Sequence, residues 1–275
     1  MNNLFDPLEK AGSHHLTIFV GYDSREDISA KILAHTIRSF DTKTSYHIIP
    51  LIYNQLYAYG YTNRDLDIRG STEFTMTRFL SAPIINLFQY KRGHYNLDRP
   101  YWPRFALFLD CDMMFTRSVD CLMDEADTMK PISVCKHDYT PSNTYKMDKK
   151  LQDSYPKKNW SSVTLWNCTH DKVSNLTLDW ANNNEPSYLH RFNTFKEEEI
   201  GSLDRKWNYL VGEGMDREEY YGLKENELPY NIHHTLGSPL FRLYQDSEYA
   251  DLWKDNFKVV MKRPFDEIRD TIIAK

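Results

Sequence analysis

The chain has 275 residues, with 34 Lys plus Arg against 39 Asp plus Glu and a formal net charge of -5. This balance and the lack of a basic block exclude a protein that follows a nucleic-acid backbone. The N-terminus has no apolar core of signal-peptide length, and no stretch of about 18 residues is continuously apolar, which predicts a cytoplasmic protein without a transmembrane segment. The four cysteines form no CxxC pair, so we expect buried thiols rather than a disulfide framework.

Short apolar runs and helical patterns alternate in the first part of the chain. We predict a strand over Leu16–Val20, a helix over about 25–40 and a second strand over Tyr46–Ile52. This order is typical of a parallel sheet with helices on its faces. A loop over Tyr53–Gly70 follows, and then a helix that begins after Ser71 and contains Arg78.

Further along the chain we predict a loop over 91–104, a strand from Phe105, a short helix over 119–129, a strand over 131–135, a polar loop over 138–158, a strand over 161–166 and a helix over 173–183. Beyond that helix the periodic pattern is weaker. It indicates helical character over 197–210, a strand-like piece over 230–234, and terminal helices over 246–257 and 264–273. The length predicts one large α/β domain over residues 1–275. In this domain helices flank a mostly parallel central sheet, and further helices are added at the C-terminus.

Two carboxylates stand at the end of the apolar run that begins at Phe105. They are Asp110 and Asp112, separated only by Cys111. Alternate residues of a strand point the same way, so the two carboxylates can converge at one point beyond the strand. Anionic oxygens suit Mg²⁺ or Mn²⁺, and ligands of open α/β folds bind at the carboxyl edge of the sheet. Because an Asp-x-Asp pair alone is common on surfaces, the apolar strand before it is what favours a metal site.

At this point the chain resembles a known group. The resemblance rests on four segments: Ile18-Phe-Val-Gly-Tyr22-Asp23, Thr77-Arg78-Phe79-Leu80, Leu107-Phe-Leu-Asp110-Cys-Asp112 and His234-Thr-Leu-Gly237. Their order is similar to that in sugar-nucleotide glycosyltransferases of the A-type fold, most like family 8, the glycogenin and bacterial galactosyltransferase group. The resemblance covers roughly residues 16 to 240.

The resemblance implies a site of donor-binding and metal-binding residues. Tyr22 and Asp23 would hold the base and ribose, and Arg78 would reach toward the donor. Asp110 and Asp112 would bind Mn²⁺ or Mg²⁺ with the diphosphate, and His234 would complete the metal shell because His234 and Gly237 match the family pattern His-x-x-Gly. His233 has the wrong offset for that pattern. The implied halves are a nucleotide-binding half over about 16–137 and an acceptor-side half over about 138–245, with C-terminal helices over about 246–275.

Two departures from the family pattern concern catalysis. The family's Lys-Pro-Trp is replaced by Ser238-Pro-Leu-Phe241, so the cation for the leaving phosphate would be Arg242, Arg78 or Lys206. The family's acidic, Gln-containing segment has a counterpart only in the Glu197-Glu198-Glu199 run before Trp207-Asn208. Glu198 and Glu199 are therefore the candidate catalytic carboxylates, although such a run is usually a solvated helix face.

The function implied is transfer of a sugar from a nucleoside-diphosphate sugar, a UDP-sugar above all, to a hydroxyl of a glycan, protein or small-molecule acceptor. A carboxylate base would serve inversion, and the leaving phosphate itself could act as base in retention, which the family resemblance favours. A nucleotidyltransferase is the alternative enzyme, but no early Gly-rich phosphate loop is present. A non-catalytic sugar-nucleotide or glycan-binding protein of the same fold is the third hypothesis. The sequence does not determine the oligomeric state.

Overall fold

The computed structural model describes residues 16–66, 72–91, 104–139 and 156–262. Its strands are β1 (Leu16–Gly21), β2 (Tyr46–Leu51), β3 (Phe105–Leu109), β4 (Met113–Phe115), β5 (Ile132–Cys135), β6 (Val163–Asn167), β7 (Ile200–Leu203), β8 (Tyr209–Leu210) and β9 (Asn231–His233). Its α-helices are α1 (Asp27–Arg38), α2 (Tyr53–Ala58), α3 (Ser81–Lys91), α4 (Val119–Glu125), α5 (Asp171–Ser174), α6 (Leu178–Asn183), α7 (Pro186–His190), α8 (Arg217–Tyr221) and α9 (Ala250–Lys262). Short 3₁₀ turns cover Ser24–Glu26, Thr77–Leu80, Trp160–Ser162, Glu197–Glu199, Arg205–Asn208 and Arg242–Tyr244.

The main sheet has six strands in the order β2-β1-β3-β6-β5-β7. β1 pairs in parallel with β2 and β3, and β5 pairs in parallel with β7, whereas β6 runs antiparallel to β3 and β5. Every residue of β1 and β3 is buried, as expected for apolar runs in a sheet that is covered on both faces. The predicted α/β class, with a mostly parallel sheet flanked by helices, is confirmed.

A second sheet of three strands, in the order β4-β9-β8, was not predicted. β4 begins one residue after Asp112 and pairs antiparallel with β9, so that Met113 lies opposite His233. β8 pairs in parallel with β9 and places Leu210 opposite His233. This register brings the end of β9 next to the aspartates that follow β3.

Helix α1 joins the two sheets through its apolar side chains. Leu33 and Ile37 pack in the core of the main sheet, whereas Ile32 packs in a second cluster with Trp253 and Val260 of α9. α9 begins at Ala250 and ends at Lys262, slightly later than the predicted terminal helix. No helix among the described residues is both long enough and apolar enough to cross a bilayer.

Several local predictions need correction. Tyr53–Ala58 forms a helix where we expected a loop, because Leu56 is buried in the main core and fixes that turn of chain. Residues 197–210 form two 3₁₀ turns and strands β7 and β8 instead of a helix, because residues 200–203 pair with β5. The helix predicted over 173–183 is two short helices, α5 and α6.

Other predictions fall on residues outside the described ranges. These are most of the loop over 91–104, most of the polar loop over 138–158, and the last helix over 264–273. The domain boundaries and the division into two halves stay predictions.

Candidate functional site

The two aspartates lie where the sequence predicted, directly beyond the carboxyl end of β3. Both are buried, with 7 and 8% of their surface exposed. The backbone N–H of Asp110 donates to the carbonyl of Ser162 at 3.1 Å, and the carbonyl of Asp112 accepts from the N–H of His234 at 3.0 Å. The backbone of the motif is therefore fixed on one side by the turn before β6 and on the other by the end of β9.

His233 completes a three-residue cluster with the aspartates. Its Nε2 lies 3.2 Å from Asp112 Oδ1 and 3.8 Å from Asp110 Oδ2. One ligand atom from each of the three residues lies within 4.8 Å of the other two. Two carboxylates and an imidazole at this spacing can converge on a single cation.

The geometry differs here from the prediction, which named His234 as the third ligand and rejected His233. Neighbouring residues of an extended chain point to opposite sides, so the two histidines face different ways. Cys111 and Asp112 form a turn between β3 and β4, and the pairing of Met113 with His233 places His233 beside that turn. His234 is also buried, and neither ring nitrogen has a hydrogen-bond partner. Burial lowers the pKa of His234 to about 4, against the opposing effect of Asp112. The described residues thus group His233, and not His234, with Asp110 and Asp112.

Arg78 lies beside the aspartates, and its expected role toward the donor stays a prediction. Its Nη1 is 3.1 Å from Asp110 Oδ1 and also donates to the carbonyl and the hydroxyl of Ser161, at 3.0 and 3.2 Å. The guanidinium lies 5.2 Å from the ring centres of both Phe74 and Phe108. Two aromatic rings and one turn therefore hold a buried cation at the carboxyl edge of the sheet.

The electrostatics of Asp110 indicate a site that lacks positive charge. Burial raises the pKa of this carboxyl, and the neighbouring Asp112 carboxylate adds to the rise, whereas Arg78 and His233 oppose it. The two cationic or protonatable neighbours do not overcome the burial and the second carboxylate. A divalent cation between the aspartates would relieve this cost.

The residues also fit a divalent cation by their chemistry. Carboxylate oxygens are preferred by Mg²⁺ and Mn²⁺, and an imidazole nitrogen suits transition metals better than Mg²⁺. The mixed set of Asp110, Asp112 and His233 therefore fits Mn²⁺ well.

Tyr22 and Asp23 follow β1 and lie at the same sheet edge, but their polar atoms are bonded to neighbouring protein groups. Asp23 is fully buried and accepts from the N–H, Nε and Nη2 of Arg25 and from the N–H of Glu73. Burial would raise the pKa of Asp23, but the hydrogen bonds from Arg25 outweigh it and lower the pKa. The hydroxyl of Tyr22 donates to Asp27 at 3.1 Å, and burial raises its pKa to about 12. Their expected role with the base and ribose stays a prediction.

Glu198 and Glu199 lie away from the aspartates, which corrects their expected place. They form a turn that enters the amino end of β7. The sheet register aligns that end with the amino end of β3, so the glutamates lie at the other edge of the sheet from the aspartates. The carboxylate of Glu199 pairs with Lys172, which lowers its pKa, and Glu198 is exposed with its carbonyl bound to Lys130. The run thus has the solvated, ion-paired character usual for consecutive glutamates.

Among the three candidate cations for the leaving phosphate, Arg78 is the one that contacts an aspartate of the Asp110–Asp112 pair in the described part of the chain. Lys206 lies 3.5 Å from Asp204 and faces the ring of Tyr230, and Arg242 is exposed in a turn after Gly237. The geometry therefore favours Arg78, whose role toward the phosphate stays a prediction.

Two buried residues next to the site were missed as functional candidates. The Oδ1 of Asn208 accepts from the ring Nδ1 of His233 at 2.7 Å. Glu26 has its Oε2 4.0 Å from the Cys111 Sγ, and burial, followed by the Asp112 charge, raises its pKa well above its usual range. The Trp207-Asn208 pair was visible in the sequence as a family feature, but nothing in the sequence indicated that Glu26 is buried beside the motif.

Comparison with solved structures identifies the fold. The bifunctional glycosyltransferase WbbM superposes with a TM-score of 0.55 at 13% identity, over 95% of this chain and 52% of that one. The glycosyltransferase GlyE of Streptococcus pneumoniae TIGR4 superposes with a TM-score of 0.51 at 12% identity, over 93% of this chain and 62% of that one. This chain thus spans about half the length of the WbbM chain. The architecture is that of the A-type glycosyltransferase fold.

A sequence comparison identifies the family. No protein-family model matches the chain. Protein CDI of Arabidopsis thaliana is 37% identical over 239 residues, which cover 86% of this chain and 83% of that protein. The chain belongs to the same family as Protein CDI.

Proposed function

We propose that this protein is a metal-dependent glycosyltransferase that moves a sugar from a nucleoside-diphosphate sugar, a UDP-sugar above all, to a hydroxyl acceptor. The observation that carries the proposal is the convergence of Asp110, Asp112, His233 and the guanidinium of Arg78 at the carboxyl edge of the sheet. That edge is where open α/β folds bind nucleotides. WbbM and GlyE, which share the fold, are described as glycosyltransferases, and this supports the same reaction class here.

The side chains divide the work between holding a cation and holding the donor. Asp110, Asp112 and the Nε2 of His233 would hold Mn²⁺ or Mg²⁺. When bound, such a cation neutralises the charge that grows on the leaving diphosphate. Arg78 is anchored by Ser161 and presents its guanidinium beside Asp110, so it supplies a second positive charge to the phosphate oxygens. Tyr22 and Asp23, at the end of the neighbouring strand β1, would hold the base and ribose of the donor.

Finer assignments are part of the proposal. Membership of family 8 of the glycosyltransferases rests on the motifs around Arg78, Asp110 and Gly237. Retention of configuration agrees with that likeness, because a leaving phosphate that acts as base needs no carboxylate in the position expected for Glu198 or Glu199. The acceptor is proposed to be a glycan, a protein or a small molecule. One domain over residues 1–275 and a cytoplasmic location complete the proposal.

The first experiment measures thermal unfolding with UDP and a panel of UDP-sugars, in Mn²⁺ and in EDTA. A nucleotide present at 100 times its Kd stabilises by about 2.7 kcal/mol, which corresponds to a shift of roughly 5 °C or more in Tm. We expect this shift only with the metal, and we expect the D112N variant to lose it. The second step measures turnover of the stabilising sugar nucleotide with candidate acceptors.

The outcomes separate the enzyme classes. Release of nucleoside diphosphate supports glycosyl transfer, whereas release of pyrophosphate supports a nucleotidyltransferase. Stabilisation by a nucleotide without turnover of any donor, even by water, supports the binding-protein hypothesis. A shift that D112N keeps in full would contradict the metal-bridged donor site.

A further inference from the structure

The imidazole of His233 is held from behind by a buried amide. Its Nδ1 lies 2.7 Å from the Oδ1 of Asn208, while its Nε2 faces the two aspartates. Asn208 is fully buried in the 3₁₀ turn Arg205–Asn208 that precedes β8. The ring is therefore fixed at both nitrogens, and its protonation pattern depends on what the amide presents.

The amide of Asn208 has one orientation that satisfies its neighbours. Its Nδ2 donates to the carbonyl of Asn159 at 3.0 Å, and a carbonyl can only accept. Rotation of the amide by half a turn would place its oxygen against that carbonyl, leaving two acceptors in contact. The oxygen of Asn208 therefore faces His233, and it can only accept from the ring.

This orientation determines what the back of the ring carries. Because Asn208 Oδ1 is an acceptor, Nδ1 of His233 carries a proton and donates it. Nε2 is then the nitrogen that faces Asp110 and Asp112, and a cation held there would take its lone pair. The hydrogen bond at the other ring nitrogen orients the ring for that role.

The carbonyl that orients Asn208 belongs to a turn that also holds the other site residues. Asn159 has a left-handed backbone with φ of 60° and begins the 3₁₀ turn Trp160–Ser162. In the same turn Ser161 accepts from Arg78, and the carbonyl of Ser162 accepts from the N–H of Asp110. The turn before β6 thus fixes the guanidinium of Arg78, the backbone of Asp110 and the amide of Asn208.

We propose that Asn208 is a positioning residue that accepts the Nδ1 proton of His233 and so holds the ring with Nε2 toward the metal site. The inference rests on the proposed metal site, but the hydrogen bond itself is a property of the metal-free protein. Asn208 is outside the group of three ligands and would act only through His233.

The hydrogen bond is read by nitrogen–proton NMR on the metal-free protein with ¹⁵N-labelled histidine. The His233 signals are assigned by their loss in H233N. In the wild type we expect a slowly exchanging proton on Nδ1. In N208L, which keeps the shape but lacks the acceptor, we expect that proton to exchange rapidly or to be absent.

The consequence for the metal is measured as the Kd for Mn²⁺, from the electron paramagnetic resonance signal of the free ion. We expect N208L to bind Mn²⁺ about 10- to 100-fold more weakly, the usual effect of removing a partner that orients a ligand. The matched control is N231L, because Asn231 is equally buried and its Nδ2 donates to the carbonyl of Trp207 at 2.9 Å, yet its side chain has no bond to His233. N231L should keep the slowly exchanging Nδ1 proton and the Kd.

The results separate this inference from the proposed function. An Nδ1 without a proton in the wild type, or an Nδ1 proton exchange and a Kd in N208L equal to those in N231L, would overturn the role of Asn208. A wild type that shows the protected Nδ1 proton but binds neither Mn²⁺ nor a nucleotide would overturn the proposed function and leave the inference about the hydrogen bond standing.

Discussion

At the scale of the residue, alternation along an extended chain reaches only part of the site. Asp110 and Asp112 lie together beyond the same strand, as their spacing predicted, although Cys111 and Asp112 form a turn. Alternation did not distinguish His233 from His234, because that choice depends on how β9 pairs with β4. Asn208 was visible only as part of a Trp-Asn pair, since its effect depends on contacts with two distant segments.

The displaced glutamates give a prediction at this scale. Because Glu199 is paired with Lys172 and Glu198 is exposed at the other end of the sheet, the variants E198Q and E199Q should keep donor turnover within about threefold of the wild type. The measurement is the release of nucleoside diphosphate under saturating donor. The comparison is D112N, for which turnover should fall by at least about 100-fold, as for loss of a group that stabilises transition-state charge. A large loss in E199Q would restore the catalytic role that the sequence predicted.

At the scale of the element, the end of β1 controls the surroundings of Arg78. A Cβ added at Gly21 would lie 2.5 Å from Cδ2 of Phe74 and 2.9 Å from Cζ of Phe108. These are the two rings that pack on the guanidinium of Arg78. Strand β1 therefore affects the surroundings of Arg78, because Gly21 has no side chain and leaves room for the two rings.

The G21A variant tests this connection. We expect overpacking to lower the free energy of unfolding by about 1–3 kcal/mol, and the shifted rings to displace Arg78 and weaken nucleotide binding. Urea denaturation and a nucleotide titration measure the two effects. The control is G60A, since Gly60 has a φ of +72° and open space around it, so its substitution strains the backbone without touching Arg78. Equal nucleotide affinity in G21A and the wild type would show that the rings move without displacing the guanidinium.

At the scale of the whole molecule, buried histidines link stability to pH. Burial lowers the pKa of His137 and His190 to about 3 and that of His234 to about 4. The unfolded chain takes up these protons near pH 6.5, whereas the native state stays neutral. The stabilisation is therefore complete above about pH 6.5 and is lost as the pH falls toward 4, by up to about 1.4 kcal/mol per pH unit for each histidine.

The H190Q variant isolates one of these contributions. Gln keeps a polar group for the hydroxyl of Ser161, which lies 3.1 Å from Nδ1 of His190, but it does not titrate. Urea denaturation between pH 6.5 and 5.0 should show a shallower loss of stability in H190Q than in the wild type. Identical slopes would mean that His190 takes up its proton in the native state over the same pH range as in the unfolded chain.

The class of the fold and the position of the aspartate pair could be predicted from the sequence, because apolar periodicity acts over a few neighbouring residues. The tertiary structure was needed to show that His233 faces the aspartates, that Arg78 is the cation beside them, and that the glutamate run lies at the other end of the sheet. These depend in turn on the pairing of β4 with β9, on the contact of Arg78 with Ser161 and on the pairing of β5 with β7, all between segments separated by more than 60 residues. Such pairings are selected by the packing of the whole core, which no local pattern in the chain encodes.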